Sequence, residues 1–146
     1  MVVPSDVEAL AAVTVNAALT VHRTLGPGLL ESAYVECLAI ELSLAGISTE
    51  REKCLPLVYR GHAIDSAYRV DLIVGNRLLL ELKAVETLAP VHQAQVITYL
   101  RLLQLPLGLL INFNVPLIKD GIHRILNLDF RSDPSPQPLA PSRLRC

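Results

Sequence analysis

A length of 146 residues, with 51% hydrophobic and 18% charged residues, is typical of one globular domain and excludes a disordered chain. The net charge of −1 gives no overall positive field, which argues against strong non-specific binding to nucleic acid. A local basic patch remains open, because five basic residues lie close together in the middle of the chain: Arg51, Lys53, Arg60, Arg69 and Arg77.

No segment predicts a membrane span or a secretory leader. The longest apolar candidate, residues 7–21, is short for a bilayer and is interrupted by Glu8 and Asn16. The three cysteines are odd in number and widely spaced, so they match neither a disulfide framework nor a zinc pattern. We therefore expect a cytoplasmic protein that does not engage a membrane.

The first third of the chain predicts two helices. Ser5 followed by Glu8 is a capping pattern, and apolar residues recur at helical spacing over residues 7–21. Gly26-Pro27-Gly28 predicts a tight turn that ends this helix, and a second helix is expected from about Leu29 to Leu44.

The hydrophobic pattern then changes to a period of two, which is typical of strands. Strands are predicted over residues 49–59, 63–74 and 78–84. A third helix is expected to begin at Pro90 and to run to about Leu103.

The last predicted elements are two strands, at residues 107–113 and 122–128, and the first of them is apolar enough to be buried on both faces. The order is α-α-β-β-β-α-β-β. A helix between the third and fourth strands makes that pair parallel, so the fold class is α/β with a mixed sheet flanked by helices. We expect one domain over residues 1–130 and a disordered Pro-rich tail over residues 131–146.

Three charged residues lie inside two of the apolar strands. Asp71 lies in one strand, and Glu81 and Lys83 lie in the next, so that a hairpin could bring them together. Charges in such strands are costly unless something binds them. Two carboxylates beside an amine are suited to a divalent metal site.

The length of the hairpin loop decides whether these groups meet. A two-residue loop at Gly75-Asn76 would place Asp71 opposite Leu80 and point it away from Glu81. A three-residue loop over residues 75–77, or a bulge, would place Asp71 opposite Glu81. The metal-site hypothesis therefore predicts a register that the Gly-Asn dipeptide alone does not favour.

Five motifs in order resemble the small bacterial GxxExxY proteins, which are placed in the PD-(D/E)XK nuclease-like superfamily. The motifs are Gly28–Tyr34, the strand that contains Asp71, Glu81-Leu82-Lys83, His92–Leu100 and Gly108–Phe113. The resemblance covers roughly residues 5–128 and implies a restriction-endonuclease-like core.

The resemblance also implies a set of metal ligands. The metal-binding aspartate of the superfamily falls on Asp71, with Val70 where proline is usual, and the (D/E)-x-K element falls on Glu81 and Lys83. Glu31 resembles the helix acid that often adds a ligand in RecB-type members. Mg²⁺, which Mn²⁺ can replace, is expected to be held by these three acids and by the backbone carbonyl of Leu82.

These residues are suited to metal-dependent hydrolysis of a phosphodiester bond, in which Asp71, Glu81, Lys83 and Gln95 are the catalytic candidates. Lys83 is expected to position a water molecule or to stabilise developing negative charge. Gln95 and Tyr99 match the Q-x-x-x-Y motif of RecB-type members, and Gln95 is expected to orient Lys83 or to contact the nucleic-acid backbone.

By analogy, the substrate is DNA rather than RNA. The chain has little room for a separate DNA-gripping domain, so a homodimer or a protein partner would help. The alternative function is a catalytically silent binding or assembly module that keeps the nuclease fold. Hydrolysis of another phosphate-containing substrate, such as a nucleotide, is a third hypothesis.

Each candidate residue also has a purely structural explanation. A Glu-x-Lys sequence on a strand is usually a solvated face, and Asp71 could be only the ion-pair partner of Lys83. Glu31 near a helix start is favoured by the macrodipole, and Gln95 could be an ordinary polar position on a helix. The favoured structural assignments are bonded packing residues for Tyr34 and Tyr99, and satisfied structural histidines for His22 and His92.

Overall fold

The computed structural model describes residues 2–132, without the side chain of Ser66. It contains three helices, five strands and one short 3₁₀ helix in the predicted order. They are α1 (Ser5–Leu25), α2 (Glu31–Leu44), β1 (Thr49–Tyr59), β2 (His62–Val74), β3 (Leu78–Lys83), α3 (Pro90–Leu103), β4 (Leu107–Asn112), the 3₁₀ helix (Ile118–Gly121) and β5 (Ile122–Leu126). The predicted tail, residues 131–146, lies outside the described residues except for its first two.

The five strands form one mixed sheet in the order β1-β2-β3-β4-β5. All neighbouring strands are antiparallel except β3 and β4, which are parallel and are connected through α3. The prediction of a mixed sheet with one parallel pair is confirmed. Every residue of β4 is buried, as its apolar sequence predicted.

The helices cover both faces of the sheet and create two apolar cores. The larger core lies between the sheet and the pair α1 and α2, and it includes Leu72, Leu80 and Ile111. The smaller core lies between the sheet and α3, and it includes Ile73, Leu79 and Leu110. Successive residues of a strand therefore alternate between the cores, which explains why β3 and β4 are apolar on both faces.

Two helix starts differ from the sequence-based expectation. Ser5 is not the cap of α1, because the helix already includes it and the Pro4 carbonyl accepts the backbone N–H groups of Val7 and Glu8 at 3.0 Å each. Helix α2 begins at Glu31, two residues later than expected, because Leu30 is extended with φ −70° and ψ 149°. Neither start has a side-chain cap.

The hairpin between β2 and β3 has the longer loop. Val74 pairs with Leu78 and Leu72 with Leu80, so three residues form the connection. Gly75 and Asn76 have positive φ angles of 55° and 59°, and the Arg77 N–H donates to the Val74 carbonyl at 3.0 Å. The turn itself is thus the one that a Gly-Asn dipeptide favours, and Arg77 is an extra residue between turn and strand.

Burial explains why the register includes that extra residue. Leu72 and Val74 of β2 share the larger core with Leu78 and Leu80 of β3. Moving β3 by a single residue would turn Glu81 and Lys83 toward the larger core in place of Leu80 and Leu82. The same register places Asp71 and Glu81 opposite each other, as the metal-site hypothesis predicted.

Within residues 2–132, no helix combines the length and the apolar character that crossing a membrane requires.

Candidate active site at the fork between two strands

The site lies where the backbone pairing of β2 and β3 ends. The last pair in the ladder is Leu72 with Leu80, and the next residues are Asp71 and Glu81. The Asp71 carboxylate accepts the Leu82 backbone N–H at 2.8 Å, and the Glu81 carboxylate faces the Asp71 backbone N–H at 3.4 Å. Side-chain oxygens thus replace backbone carbonyls as acceptors of the N–H groups across the two strands. The strands separate at this point, and we call the space that contains the Asp71 and Glu81 carboxylates the fork.

Burial and mutual repulsion control the charge of the two acids. The Glu81 residue is only 4% exposed, and burial, followed by repulsion from Asp71, raises its pKa to about 8. Burial also raises the pKa of Asp71, although the hydrogen bond from Leu82 opposes that change. Each acid is harder to ionise while nothing positive lies between them. A cation at the fork would relieve that penalty.

Lys83 supplies one positive group beside the acids. Its ammonium lies 3.7 Å from Glu81 Oε2, and its side chain is 17% exposed. The ion pair is therefore with Glu81, rather than with Asp71 as one structural alternative suggested. The solvated-face explanation for Glu81 is also wrong, because that residue is buried. An accessible ammonium next to buried carboxylates can neutralise an approaching anion.

Helix α3 places Tyr99 over the fork. Tyr99 is buried, and its ring lies edge-on to Tyr68 with centroids 5.7 Å apart. Burial, followed by repulsion from Glu81 and Asp71, raises its pKa to about 12. Tyr99 is therefore a packing residue whose phenol stays protonated beside the acids.

Gln95 lies four residues before Tyr99, which is the spacing of neighbours on one helix face. It is half-buried, and its amide makes no hydrogen bond to any residue in the described part of the chain. An unbonded amide on the face that also presents Tyr99 remains available to a substrate. Its predicted role toward Lys83 or the nucleic-acid backbone stays a prediction.

Glu31 is the first residue of α2, and its negative charge contributes to raising the pKa of Asp71. Its carboxylate is therefore near the fork, although residues 2–132 contain no group of three or more His, Cys, Asp and Glu side chains close enough to hold a metal ion. Two carboxylates form the centre of the site. The metal-ligand roles of Glu31 and of the Leu82 carbonyl stay predictions, and Glu31 is also where the helix dipole favours an acid.

Asn112 is a site residue that sequence reasoning did not identify. It is buried at the end of β4, and its amide oxygen accepts the Val85 N–H at 3.1 Å while its amide nitrogen donates to the Val85 carbonyl at 2.9 Å. The Phe113 N–H donates to the Lys83 carbonyl at 2.9 Å. These bonds hold the chain directly after Lys83. The only signal in the sequence is a polar residue at the end of an apolar strand.

The histidines and Tyr34 have the structural roles that were expected. The His22 Nε2 atom lies 2.8 Å from the Val115 carbonyl, and the His92 ring accepts the Ala89 N–H at 3.0 Å at the start of α3. The Tyr34 hydroxyl is hydrogen-bonded, and its ring is fully buried.

An open groove of about 790 Å³ lies outside the fork, and neither Asp71, Glu81 nor Lys83 lines it. It lies between the start of α3, the end of β4 and β5, and Leu110 forms part of its floor. Leu110 is the parallel partner of Glu81, so the groove begins one strand away from the acids.

Sequence comparison agrees with this fold. A family model described as PD-(D/E)XK nuclease superfamily matches residues 8–125, which include both acids, Lys83, strands β1 to β4 and all of β5 except its last residue. The chain belongs to the PD-(D/E)XK nuclease superfamily, and its mixed sheet flanked by helices is consistent with the restriction-endonuclease-like fold. Searches of curated proteins and of solved structures gave no match.

Proposed function

We propose that this protein is a magnesium-dependent nuclease of the GxxExxY type that hydrolyses phosphodiester bonds, with DNA as the substrate. The observation that carries the proposal is the strand fork, where Asp71 and Glu81 face each other with Lys83 beside them. Superfamily membership supports a nuclease-like activity and a divalent metal in general.

The donor set is suited to Mg²⁺. Hard divalent cations prefer carboxylate and carbonyl oxygens, and Asp71, Glu81 and the Leu82 carbonyl supply that type of ligand. Burial is the main cause of the raised pKa of both acids, and repulsion from Asp71 adds to it at Glu81. When bound, magnesium would supply Lewis-acid activation of water and charge relief for the phosphate.

The residues of the chain have separate roles in this proposal. Asp71 and Glu81 would hold the cation, with Glu31 as a further ligand. Lys83 stabilises the negative charge that develops on the phosphate, because its ammonium is accessible and already adjoins Glu81. Gln95 positions Lys83 or the nucleic-acid backbone from α3.

Calorimetry with Mn²⁺ and with Mg²⁺ tests the metal site. Wild type is expected to bind one ion, and Asp71→Ala is expected to abolish binding because half of the carboxylate pair is lost. Asp65→Ala is the matched control, since Asp65 is an exposed carboxylate on the same strand. Binding that is unchanged in Asp71→Ala would refute the metal site.

A cleavage assay tests the activity itself. Single-stranded DNA, double-stranded DNA and RNA of the same sequence are each incubated with wild type, Lys83→Ala and Lys119→Ala, where Lys119 is an exposed lysine. Lys83→Ala is expected to lower the cleavage rate about 100-fold or more, because an electrostatic stabiliser is lost. Lys119→Ala is expected to leave the cleavage rate unchanged. Faster cleavage of RNA than of DNA would overturn the substrate assignment.

One observation favours the second candidate, a silent binding or assembly module. The described residues contain only a pair of converging acids rather than a group of three or more. Metal binding without cleavage of any of the three substrates would establish the module instead of the nuclease.

A further inference from the structure

The turn between α1 and α2 is held from inside by one hydroxyl group. The Tyr34 O–H donates to the Gly26 carbonyl at 2.6 Å and accepts the Leu29 N–H at 3.2 Å. These two partners lie on opposite sides of the Pro27-Gly28 turn. A single hydrogen bond would satisfy a buried phenol, whereas two bonds across the turn also restrain the conformation of the turn.

The ring of Tyr34 connects this turn to the end of β3. It stacks on Phe113 with centroids 4.4 Å apart and an interplanar angle of 12°. Phe113 in turn donates its backbone N–H to the Lys83 carbonyl at 2.9 Å. One buried tyrosine therefore contacts the turn directly and the segment of Lys83 through a single residue.

Glu31 lies between the points that Tyr34 fixes. Leu29 precedes it by two residues, and Tyr34 follows it within the first turn of α2. Asp71 and Glu81 are fixed by the sheet, whereas the position of Glu31 depends on where this helix begins. Glu31 is half-buried at the first residue of α2, so its carboxylate moves with the start of this helix, and its charge makes a minor contribution to raising the pKa of Asp71.

We propose that the Tyr34 hydroxyl is a positioning group that fixes the start of α2 and thereby aims the Glu31 carboxylate at the fork. This inference rests on the proposed metal-binding function. It gives a physical reason for the spacing of Gly28, Glu31 and Tyr34. The tyrosine holds the turn, and the position of the glutamate side chain depends on that turn.

The first test needs no metal. Tyr34→Phe keeps the ring on Phe113 and removes only the hydroxyl. Hydrogen exchange in metal-free buffer is expected to accelerate about tenfold at the Leu29 and Ala33 amides, because loss of one hydrogen bond raises the exchange rate by about a factor of ten. The exchange rate of the Leu80 amide in β3 is expected to stay unchanged. Tyr59→Phe is the control, because Tyr59 is exposed. Unchanged exchange at Leu29 would overturn the inference.

The second test is a double-mutant cycle read by Mn²⁺ calorimetry. Tyr34→Phe and Glu31→Gln are each expected to weaken Mn²⁺ binding about tenfold, which is the lower end of the range for loss of a group that supports a metal site. The double variant is expected to bind Mn²⁺ no more weakly than Glu31→Gln alone. A merely structural tyrosine would give the same loss in both backgrounds, and that result would overturn the positioning role. If wild type binds no Mn²⁺, the proposed function fails, and the inference fails with it. Binding by wild type with equal losses refutes only the role of Tyr34.

Discussion

Glu81 and Lys83 are two residues apart on one strand, yet their surroundings differ. Glu81 points into the fork, where burial and Asp71 both disfavour its charge, while Lys83 remains partly open to solvent. The site therefore combines an acid that ionises reluctantly with an ammonium that is readily accessible. Glu81 lies inside the fork, whereas Lys83 lies two residues farther along β3, where its side chain is 17% exposed.

The raised pKa of Glu81 predicts a particular pH dependence of stability. The pKa in the folded state, about 8, lies above the ordinary value of 4.5, so the folded protein binds this proton more tightly than the unfolded chain. The resulting stabilisation is fully present below pH 4.5 and is lost as the pH rises through 8. In metal-free buffer, the free energy of unfolding is expected to fall by about 2 to 4 kcal/mol between pH 5 and pH 8.

Urea unfolding across this pH range measures that slope. Glu81→Gln is expected to flatten it, because the amide does not titrate, whereas Glu86→Gln at an exposed position is expected to leave it unchanged. Superimposable profiles for wild type and Glu81→Gln would show that Glu81 is an ordinary acid.

Asn112 shows the limit of residue-level prediction. Its partner, Val85, is 27 residues away in sequence, and nothing local to either residue indicates that they pair. Asp71, Glu81 and Lys83 could be found because charges inside apolar strands are unusual by themselves. A buried amide that supports them becomes visible only when the chain is folded.

Among the elements, α3 depends on a close approach to β4. A Cβ atom added at Gly108 would lie 2.8 Å from Val96 Cγ1, so the absence of a side chain there lets the helix pack directly on the strand. Helix α3 also carries Gln95 and Tyr99. The depth of its packing therefore determines how far these two side chains lie from the fork.

Gly108→Ala is expected to lower the free energy of unfolding by about 1 to 3 kcal/mol, because the added methyl overpacks this contact. It is also expected to slow metal-dependent cleavage, since α3 has to shift away from the sheet. Chemical denaturation and the DNA assay measure the two effects. The second substitution Val96→Ala, which removes the clashing methyl groups, is expected to restore part of the stability. Wild-type stability in Gly108→Ala would contradict the close approach.

The β2–β3 hairpin allows a test of what sets its register. If burial of Leu72 and Leu80 sets it, deletion of Arg77 leaves a two-residue Gly75-Asn76 turn with the same pairing. Mn²⁺ affinity is then expected to change less than about threefold. The free energy of unfolding is expected to change by less than about 1 kcal/mol, mainly because the exposed ion pair between Arg77 and Asp6 is lost. Loss of Mn²⁺ binding in the deletion variant, measured by calorimetry, would show that the loop rather than the core sets the register.

At the scale of the whole molecule, ion pairs neutralise much of the basic cluster seen in the sequence. Arg51 pairs with Glu36, Lys53 with Glu50 and Arg77 with Asp6. Ion pairs thus neutralise three of the five residues in this cluster, whereas Arg60 and Arg69 form none within the described residues.

A metal ion at the fork is expected to stabilise the whole fold, because it binds the folded state and relieves the repulsion between Asp71 and Glu81. At an Mn²⁺ concentration a hundred times Kd, the expected gain is about 2.7 kcal/mol, measured as an increase in Tm by calorimetric scanning. Asp71→Asn is expected to abolish this gain and Asp65→Asn to preserve it. An equal increase in Tm for both variants would place the ion elsewhere.

The sequence alone determined the order of the elements and the identity of the charged residues at the fork. Hydrophobic period, prolines and glycines are local signals, and they were sufficient to predict β1 (Thr49–Tyr59) and α3 (Pro90–Leu103) with the observed bounds. Resemblance to a nuclease family then connected these charges to a chemistry; the family match confirms membership of the superfamily, and the role of the charges stays a prediction.

Tertiary structure decided the rest, because the remaining questions concern contacts between distant segments. The hairpin register depends on which leucines share a core, not on the turn dipeptide. The start of α1 depends on the Pro4 carbonyl rather than on the Ser5 side chain. The raised pKa of Glu81 and the support from Asn112 exist only where strands far apart in sequence enclose the same space, because burial and mutual repulsion are properties of that space.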